Sequence, residues 1–239
     1  METTPDTENI PTHLPPPPAG QRHCRCRTCS GIFAARFPWP YCPKCDAERI
    51  DRAEAEAQRE AQEARSREFW AAIPPLYRET DPERLAPALR EIVSGYQFGP
   101  RGVGFVGAAG AGKTRAAVLI LAALAEQGMS TLFLPATEFA AAARVALADR
   151  GPDREEAAKT LSRARKCKAL LLDDLGKCRF TDRAEAELYE ILEYRVGHLL
   201  PTFWTSNSDA KGLREMLSAD RADAMIRRLG REFCQHVTL

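Results

Sequence analysis

No run in this chain is apolar over anything like the length of a membrane span. The first twenty residues, Met1 to Gly20, are acidic and proline-rich and lack the apolar core of a secretory leader. Net charge is also lacking. The 34 Lys and Arg against 33 Asp and Glu leave +1, so bulk charge does not mark a nucleic-acid binder and any basic surface must be local. No internal repeat is present, which excludes a solenoid. A cytoplasmic protein with no membrane partner is the expectation. The 239 residues, 44% hydrophobic and 28% charged, suffice for one sizeable α/β domain and a small appendage.

Cysteine is not lacking, and its placement is uneven. Five of the eight cysteines crowd between Cys24 and Cys45. In a reducing compartment such crowding favours a metal over disulfides. Cys26-Arg-Thr-Cys29 and Cys42-Pro-Lys-Cys45 form C-x₂-C–x₁₂–C-x₂-C. Each short loop brings two thiolates to one ion, and two loops complete a tetrahedron around Zn²⁺. Gly31 and Pro43 suit the turns. So short a segment has too little core to fold alone, so zinc would supply its folding energy. Cys24, with His23 beside it, either replaces Cys26 or flanks the site. Cys167, Cys178 and Cys234 are scattered and read as ordinary core or surface residues. Arg22, Arg25, Arg27 and Arg36 make the segment basic, and Phe33, Phe37, Trp39 and Tyr41 make it aromatic. That combination suits single-stranded nucleic acid, a protein hot spot, or simply the module's own core.

The chain divides by composition into a disordered arm at 1–20 with six prolines, a zinc module at 21–46, a linker helix at 47–72 and one larger domain at 73–239. The linker is alanine- and charge-rich with no broad apolar face, and Glu48/Arg52 and Glu63/Arg67 stand at i,i+4 with the acid first. Ile73-Pro-Pro75 ends it. Beyond it, short apolar strands at 102–106, 131–134, 169–173, 202–205 and 233–238 alternate with helices starting near Lys113, Thr137, Asp153, Asp182 and Asp220. This alternation predicts an α/β fold, a mostly parallel sheet covered on both faces.

Gly107-Ala108-Ala109-Gly110-Ala111-Gly112-Lys113-Thr114 matches the P-loop pattern G-x-x-x-x-G-K-[ST] between an apolar strand and a strong helix former. Glycines let successive backbone N–H groups face phosphate oxygens, and the helix N-terminus adds partial positive charge. Lys113 would reach the β- and γ-phosphates of ATP, and Thr114 would offer its hydroxyl to Mg²⁺. About 60 residues later, Ala169-Leu-Leu-Leu-Asp173-Asp174 is an apolar strand ending in two carboxylates, expected to lie beside the P-loop strand as a Walker B element. Asp173 would hold Mg²⁺ and Asp174 would polarise the attacking water. A third strand ends in Thr205-Ser-Asn207, where Asn207 would reach the γ-phosphate or the water.

With these elements in order, the chain resembles the AAA+ helicase-loader family of the DnaC/DnaI type and its relative, the IstB transposition helper. The resemblance runs from about Phe69 to Leu239. It rests on Ile73-Pro-Pro-Leu-Tyr77-Arg78, Leu172-Asp-Asp-Leu-Gly176, Leu188-Tyr-Glu-Ile-Leu-Glu-Tyr-Arg195, Thr205-Ser-Asn207 and Ala224-Met-Ile-Arg227-Arg228-Leu229. It implies a P-loop AAA+ ATPase. It implies sensor 1 at Asn207 and an arginine finger at Arg228 that completes a neighbour's site, with Arg195 a second candidate, and hence self-association. No helical lid follows the last strand, so a sensor 2 arginine has no evident counterpart.

The function it implies is a DNA replication accessory ATPase. This would be a loader that binds ATP, Mg²⁺ and single-stranded DNA and docks on a replicative helicase through its zinc-bearing N-terminal region. Arg163, Arg165, Lys166 and Lys168 form a local basic run that either contacts phosphates or caps a solvated helix. The alternatives are an IstB-like transposition helper and a nucleic-acid-binding adaptor whose ATPase is idle.

Overall fold

The structure, a computed structural model, describes residues 10–11, 13–146, 153–177, 179–230 and 233–238. Residues 1–9 and 12 of the expected proline-rich arm, and Cys178, lie outside the described residues. The chain divides into two units, Met1–Ala61 and Gln62–Leu239.

The first unit is built on an antiparallel hairpin of β1 (Arg22–Arg25) and β2 (Ile32–Ala35), with Cys24 opposite Phe33. The first part of a long helix, α1 (Pro43–Ala72), completes it. Helix α1 begins inside the expected zinc module, because Pro43 supplies a preset φ and needs no N–H partner at a helix start. Its first turn therefore carries Cys45. Along most of its length α1 is exposed. The Glu63–Arg67 pair forms at 3.9 Å, whereas Glu48 pairs with Lys44 at 4.0 Å.

The second unit opens with the buried end of α1, where Phe69 and the following Ile73 enter its core. Short helix α2 (Pro75–Arg78) and α3 (Pro87–Gly95) lead to the sheet. The sheet strands are β3 (Gly102–Val106), β4 (Thr131–Pro135), β5 (Ala169–Leu175), β6 (Thr202–Ser206) and β7 (Cys234–Thr238). They are linked through α4 (Lys113–Glu126), α5 (Ala136–Ala146), α6 (Arg154–Lys166), α7 (Asp182–Gly197), α8 (Ala210–Met216) and α9 (Ala219–Leu229). All strand pairs in this sheet are parallel, in the order β4-β5-β6-β3-β7.

That order corrects one expectation. The strand ending in Asp173 is not beside the P-loop strand, because β6 lies between them and pairs with both. The displaced neighbour is functional, since β6 delivers Thr205 and Asn207 to the space between the two motifs.

Up to Leu172 in β5, successive strand residues alternate between two cores, as the two-residue period of a strand requires. Leu170, Leu172 and Trp204 face a cluster with Phe139, Leu161, Leu188, Ile191 and Met225 from α5, α6, α7 and α9. Ala169, Leu171 and Phe203 face the other cluster, with Leu89, Ala117, Ile120 and Leu121 from α3 and α4. Gly104 is opposite Trp204, and a Cβ there would stand 2.4 Å from the indole. Only glycine lets the two strands pair with that ring between the layers.

Arg195 is wholly buried. Its Nε donates to Thr202 Oγ1 at 2.9 Å, and Nη1 donates to the carbonyls of Ala164 and Cys167 at 2.9 and 2.8 Å. Nη2 donates to the Pro201 carbonyl. A guanidinium that ties α6, α7 and β6 together cannot reach a neighbour's nucleotide, so Arg195 drops out as a finger candidate. Burial pushes its pKa down, the Cys167 thiol opposing. Replacement by Met keeps the stem and strips these carbonyls of their donor. Arg195→Met should destabilise the fold by roughly 3 kcal/mol. Urea unfolding checks this, and a midpoint equal to wild type would show the network to be dispensable.

Candidate functional site

The carboxyl edge of the sheet carries the polar groups. After β3 the chain turns through Gly110 and Gly112, at φ 82° and 86°, and enters α4 at Lys113. Gly112 is doubly required, because a Cβ there would also press on Leu85 and Leu89 at 3.2 and 3.3 Å. The Lys113 ammonium curls across the loop and donates to the carbonyls of Gly107 and Ala108 and to Asn207 Oδ1, each at 2.8 Å. Burial holds its pKa below the usual lysine value, and the charges of Asp174 and Asp173 oppose that.

Two hydroxyls converge on Asp173. Thr114 Oγ1 and Thr205 Oγ1 both donate to Asp173 Oδ1 at 2.7 Å. Burial pushes this carboxyl above its usual range, against the pull of the two threonine hydrogen bonds. A buried carboxylate beside a threonine hydroxyl is a hard, all-oxygen donor set whose charge calls for a cation, so the residues present fit Mg²⁺. Asp174 sits at an irregularity in the β5–β6 pairing with φ 63°, and its N–H donates to Thr205 Oγ1 at 2.8 Å. A non-glycine residue in that region is a strained placement of the kind found at working sites. Its carboxylate forms an ion pair with Lys177.

These groups open onto a cavity of about 870 Å³ lined by Gly110, Gly112, Lys113, Thr114, Asp174 and Asn207. Its far wall is the segment Pro75 to Ala86. From that wall Tyr77 packs 6.0 Å from Phe133, with the Arg115 guanidinium 6.0 Å over its ring. Burial and the nearby Asp173 carboxylate push the Tyr77 phenol up, while a hydrogen bond with Thr114 opposes them. The cavity thus offers backbone N–H groups and an ammonium for phosphates, the Asp174 carboxylate, the Thr114 and Thr205 hydroxyls that bond the buried Asp173, and a wall that mixes Leu76, Tyr77 and Leu85 with Glu79, Asp81 and Arg84.

The structure brings together Gly107 to Thr114, Asp173, Asp174 and Asn207. It does not bring Arg228 to this cavity. Arg228 lies on α9, paired with Glu193, bonded to the Ala224 carbonyl at 2.8 Å and stacked 5.0 Å over Tyr189. In the basic run, Arg165 is taken up by Glu187 and Glu190 at 3.3 and 3.1 Å. Thr205 and Tyr77 stand in the sequence motifs, but their place at the site was not assigned from sequence. A hydroxyl at the end of an apolar strand is the signal that could have marked Thr205.

In the first unit, the sulfurs of Cys26, Cys29, Cys42 and Cys45 all lie within 4.8 Å of one another. A tetrahedron with Zn–S bonds of about 2.3 Å places its sulfurs ~3.8 Å apart. Cys29 and Cys42 Sγ are 3.7 Å apart. The four residues therefore fit Zn²⁺. Cys24 is buried in β1 outside the cluster. The first knuckle is closed by Ser30, at φ 59°, whose N–H donates to Cys26 O at 2.9 Å. Burial raises the Cys26 thiol, but backbone N–H groups of Cys29, Cys42 and Thr28 outweigh it and bring it down to about 6. Hydrogen bonding with the Cys42 thiol, then burial, push Cys45 up to about 12.

This sheet order, with a phosphate loop after one inner strand and paired carboxylates two strands away, defines a P-loop AAA+ fold. The model of the IstB-like ATP-binding protein family matches residues 99–238, and the chain belongs to that family. No match is found among curated proteins. Among solved structures, the crystal structure of DnaI is 23% identical, with 70% of this chain and 90% of that chain covered and a TM-score of 0.54. Replication initiator DnaA bound to AMPPCP and single-stranded DNA is 16% identical, with 70% and 51% covered and a TM-score of 0.53. AMPPCP-bound DnaA from Aquifex aeolicus is 18% identical, with 64% and 44% covered and a TM-score of 0.50. The chain spans about half of each DnaA chain. These likenesses show the fold. Among the described residues, no helix is long and apolar enough to cross a membrane.

Two outcomes are expected. Elemental analysis should find one Zn²⁺ per chain, lost on Ser substitution of Cys26, Cys29, Cys42 or Cys45 and kept in Cys24→Ser. A Cys24 variant without zinc would contradict the ligand set. Thr205→Val should keep the fold but weaken Mg²⁺-dependent ATP binding by roughly tenfold, the loss of about one hydrogen bond to a charged group. Binding unchanged from wild type in a fluorescence titration would deny Thr205 that role.

Proposed function

We propose that this chain is an ATP-hydrolysing switch protein of DNA replication that helps place a replicative helicase on single-stranded DNA. The observation that carries the reading is the hydrogen-bonded set at one cavity wall, where Lys113 donates to Asn207 and both Thr114 and Thr205 donate to the buried Asp173. The loop N–H groups and Lys113 bind the β- and γ-phosphates. Thr114 and Asp173 hold Mg²⁺, which when bound neutralises phosphate charge. Asp174 accepts the proton of the attacking water, and Asn207 orients the water or the γ-phosphate. ADP and phosphate are the products, and hydrolysis sets timing.

Arg228 completes the site of a neighbouring copy. To do so it must leave Glu193, the Ala224 carbonyl and the Tyr189 ring, although its side chain is only 12% exposed, so the move costs a set of largely desolvated contacts. The fold likeness to a replication initiator bound to single-stranded DNA supports a role in replication with single-stranded DNA as a partner. On this reading the protein works in the cytoplasm, and its second partner is a helicase, met through the zinc module. The match to the IstB-like family favours a second reading, a transposition helper with the same chemistry. Capture of a helicase or of a transposase from native extract separates the two. A nucleic-acid-binding adaptor would instead bind DNA without turning over ATP.

Lys113→Ala should abolish ATP binding, because the phosphates lose a point charge. Asp174→Asn should bind ATP and hydrolyse it roughly 100-fold more slowly. Wild-type turnover in the Asp174 variant would remove it as the base. Arg228→Ala should bind ATP but hydrolyse it poorly alone. Mixed in equal amounts with Lys113→Ala chains, it should recover part of the activity, well below half, because some interfaces pair an intact loop with an intact arginine. No recovery from variants shown to be folded and co-assembled would count against a finger acting between chains.

A further inference from the structure

Among the described charged groups at the cavity that the motifs above leave unassigned, Lys177 alone is ion-paired to Asp174. Lys177 lies at the end of the turn that follows Asp174, and its N–H donates to the Asp174 carbonyl at 3.3 Å. Gly176, at φ 103°, makes that turn possible. The turn brings the Lys177 ammonium onto the Asp174 carboxylate, and the contact raises the lysine pKa. The Asp174 backbone is meanwhile fixed from the other side by Thr205.

We propose that Lys177 is a latch on Asp174, restraining hydrolysis until a phosphate of single-stranded nucleic acid draws the ammonium away. This rests on the reading of Asp174 as the base. A carboxylate oxygen engaged by an ammonium is not free to orient a water and take its proton. Lys113, Asn207 and the loop N–H groups already serve the nucleotide's own phosphates, so Lys177 is spare. Its side chain is 64% exposed, against 31% for Asp174, so it stands at the rim and a strand can reach it from solvent. An exposed ion pair is weakly held, and a phosphate with its full negative charge competes well for the cation. When the strand takes Lys177, the base is released. Hydrolysis becomes conditional on DNA, as timing by DNA requires. Lys177 acts through Asp174 and is a positioning residue.

The test compares wild type, Lys177→Met and Lys177→Arg for kcat and KM with ATP, with and without an oligo-dT strand. The rate at which an acylating reagent modifies Lys177 is measured by mass spectrometry in wild type and in Asp174→Asn. Expected are a basal kcat at least threefold above wild type in Lys177→Met, a KM within twofold, and no further gain from oligo-dT. Wild type and Lys177→Arg should be slow alone and stimulated by the strand. Asp174→Asn should speed Lys177 modification severalfold. Three outcomes would overturn the latch. They are a lowered kcat with a raised KM in Lys177→Met, which would make the lysine a nucleotide ligand; an unchanged basal kcat; and equal stimulation of Lys177→Met and wild type by oligo-dT. Unchanged modification in Asp174→Asn overturns it independently of any turnover. If all chains bind ATP and none hydrolyses it while the modification result stands, the ion pair is real, and both the ATPase reading and the restraint assigned to it fall.

Discussion

The carboxylate of Asp173 accepts hydrogen bonds from Thr114 and Thr205 at the same oxygen, and the rest of the site depends on that contact. One donor begins the helix after the phosphate loop, one ends β6, and the acceptor stands in β5. The contact exists only because β6 runs between β3 and β5. A carboxylate buried without such donors is costly. The two hydroxyls offset part of that cost, and they fix the phosphate loop and both neighbouring strand ends to within the tolerance of a hydrogen bond.

Stability and reactivity are laid down in different parts of the same strands. Leu170, Leu171 and Leu172 alternate between two apolar clusters, and Arg195 locks the opposite end of the sheet through backbone carbonyls. Two residues beyond Leu172, the pairing with β6 becomes irregular and Asp174 takes a left-handed backbone. The strain is tolerated because the packed part of the strand is already fixed. It turns Asp174 out toward the cavity while Asp173 stays in.

Much of this was legible in the sequence, where the signal was local. The phosphate loop and the cysteine pairs are fixed spacings. The five strands and the starts of α4, α5, α6, α7 and α9 show as alternating apolar runs and fall within a residue or two of those expected, whereas α2, α3 and α8 were not expected. What was not legible depends on distant contacts. The place of β6 between β3 and β5 follows from how crossovers pack, so the Asp173 strand was expected beside the loop strand and is not. The β1–β2 hairpin escaped notice because four-residue strands around cysteines carry no period to read. Arg195 stood as a second finger candidate because sequence does not show that Thr202, Ala164 and Cys167 close around it.

The central claim is that the cavity beside Lys113 binds a nucleoside triphosphate through its phosphates together with Mg²⁺. Calorimetric titration of the full chain with ATP, in Mg²⁺ and then in chelator, addresses it directly. The account predicts saturable binding of one ATP per chain, tighter with Mg²⁺ than without. An absence of binding in both conditions, by a folded protein, would contradict it.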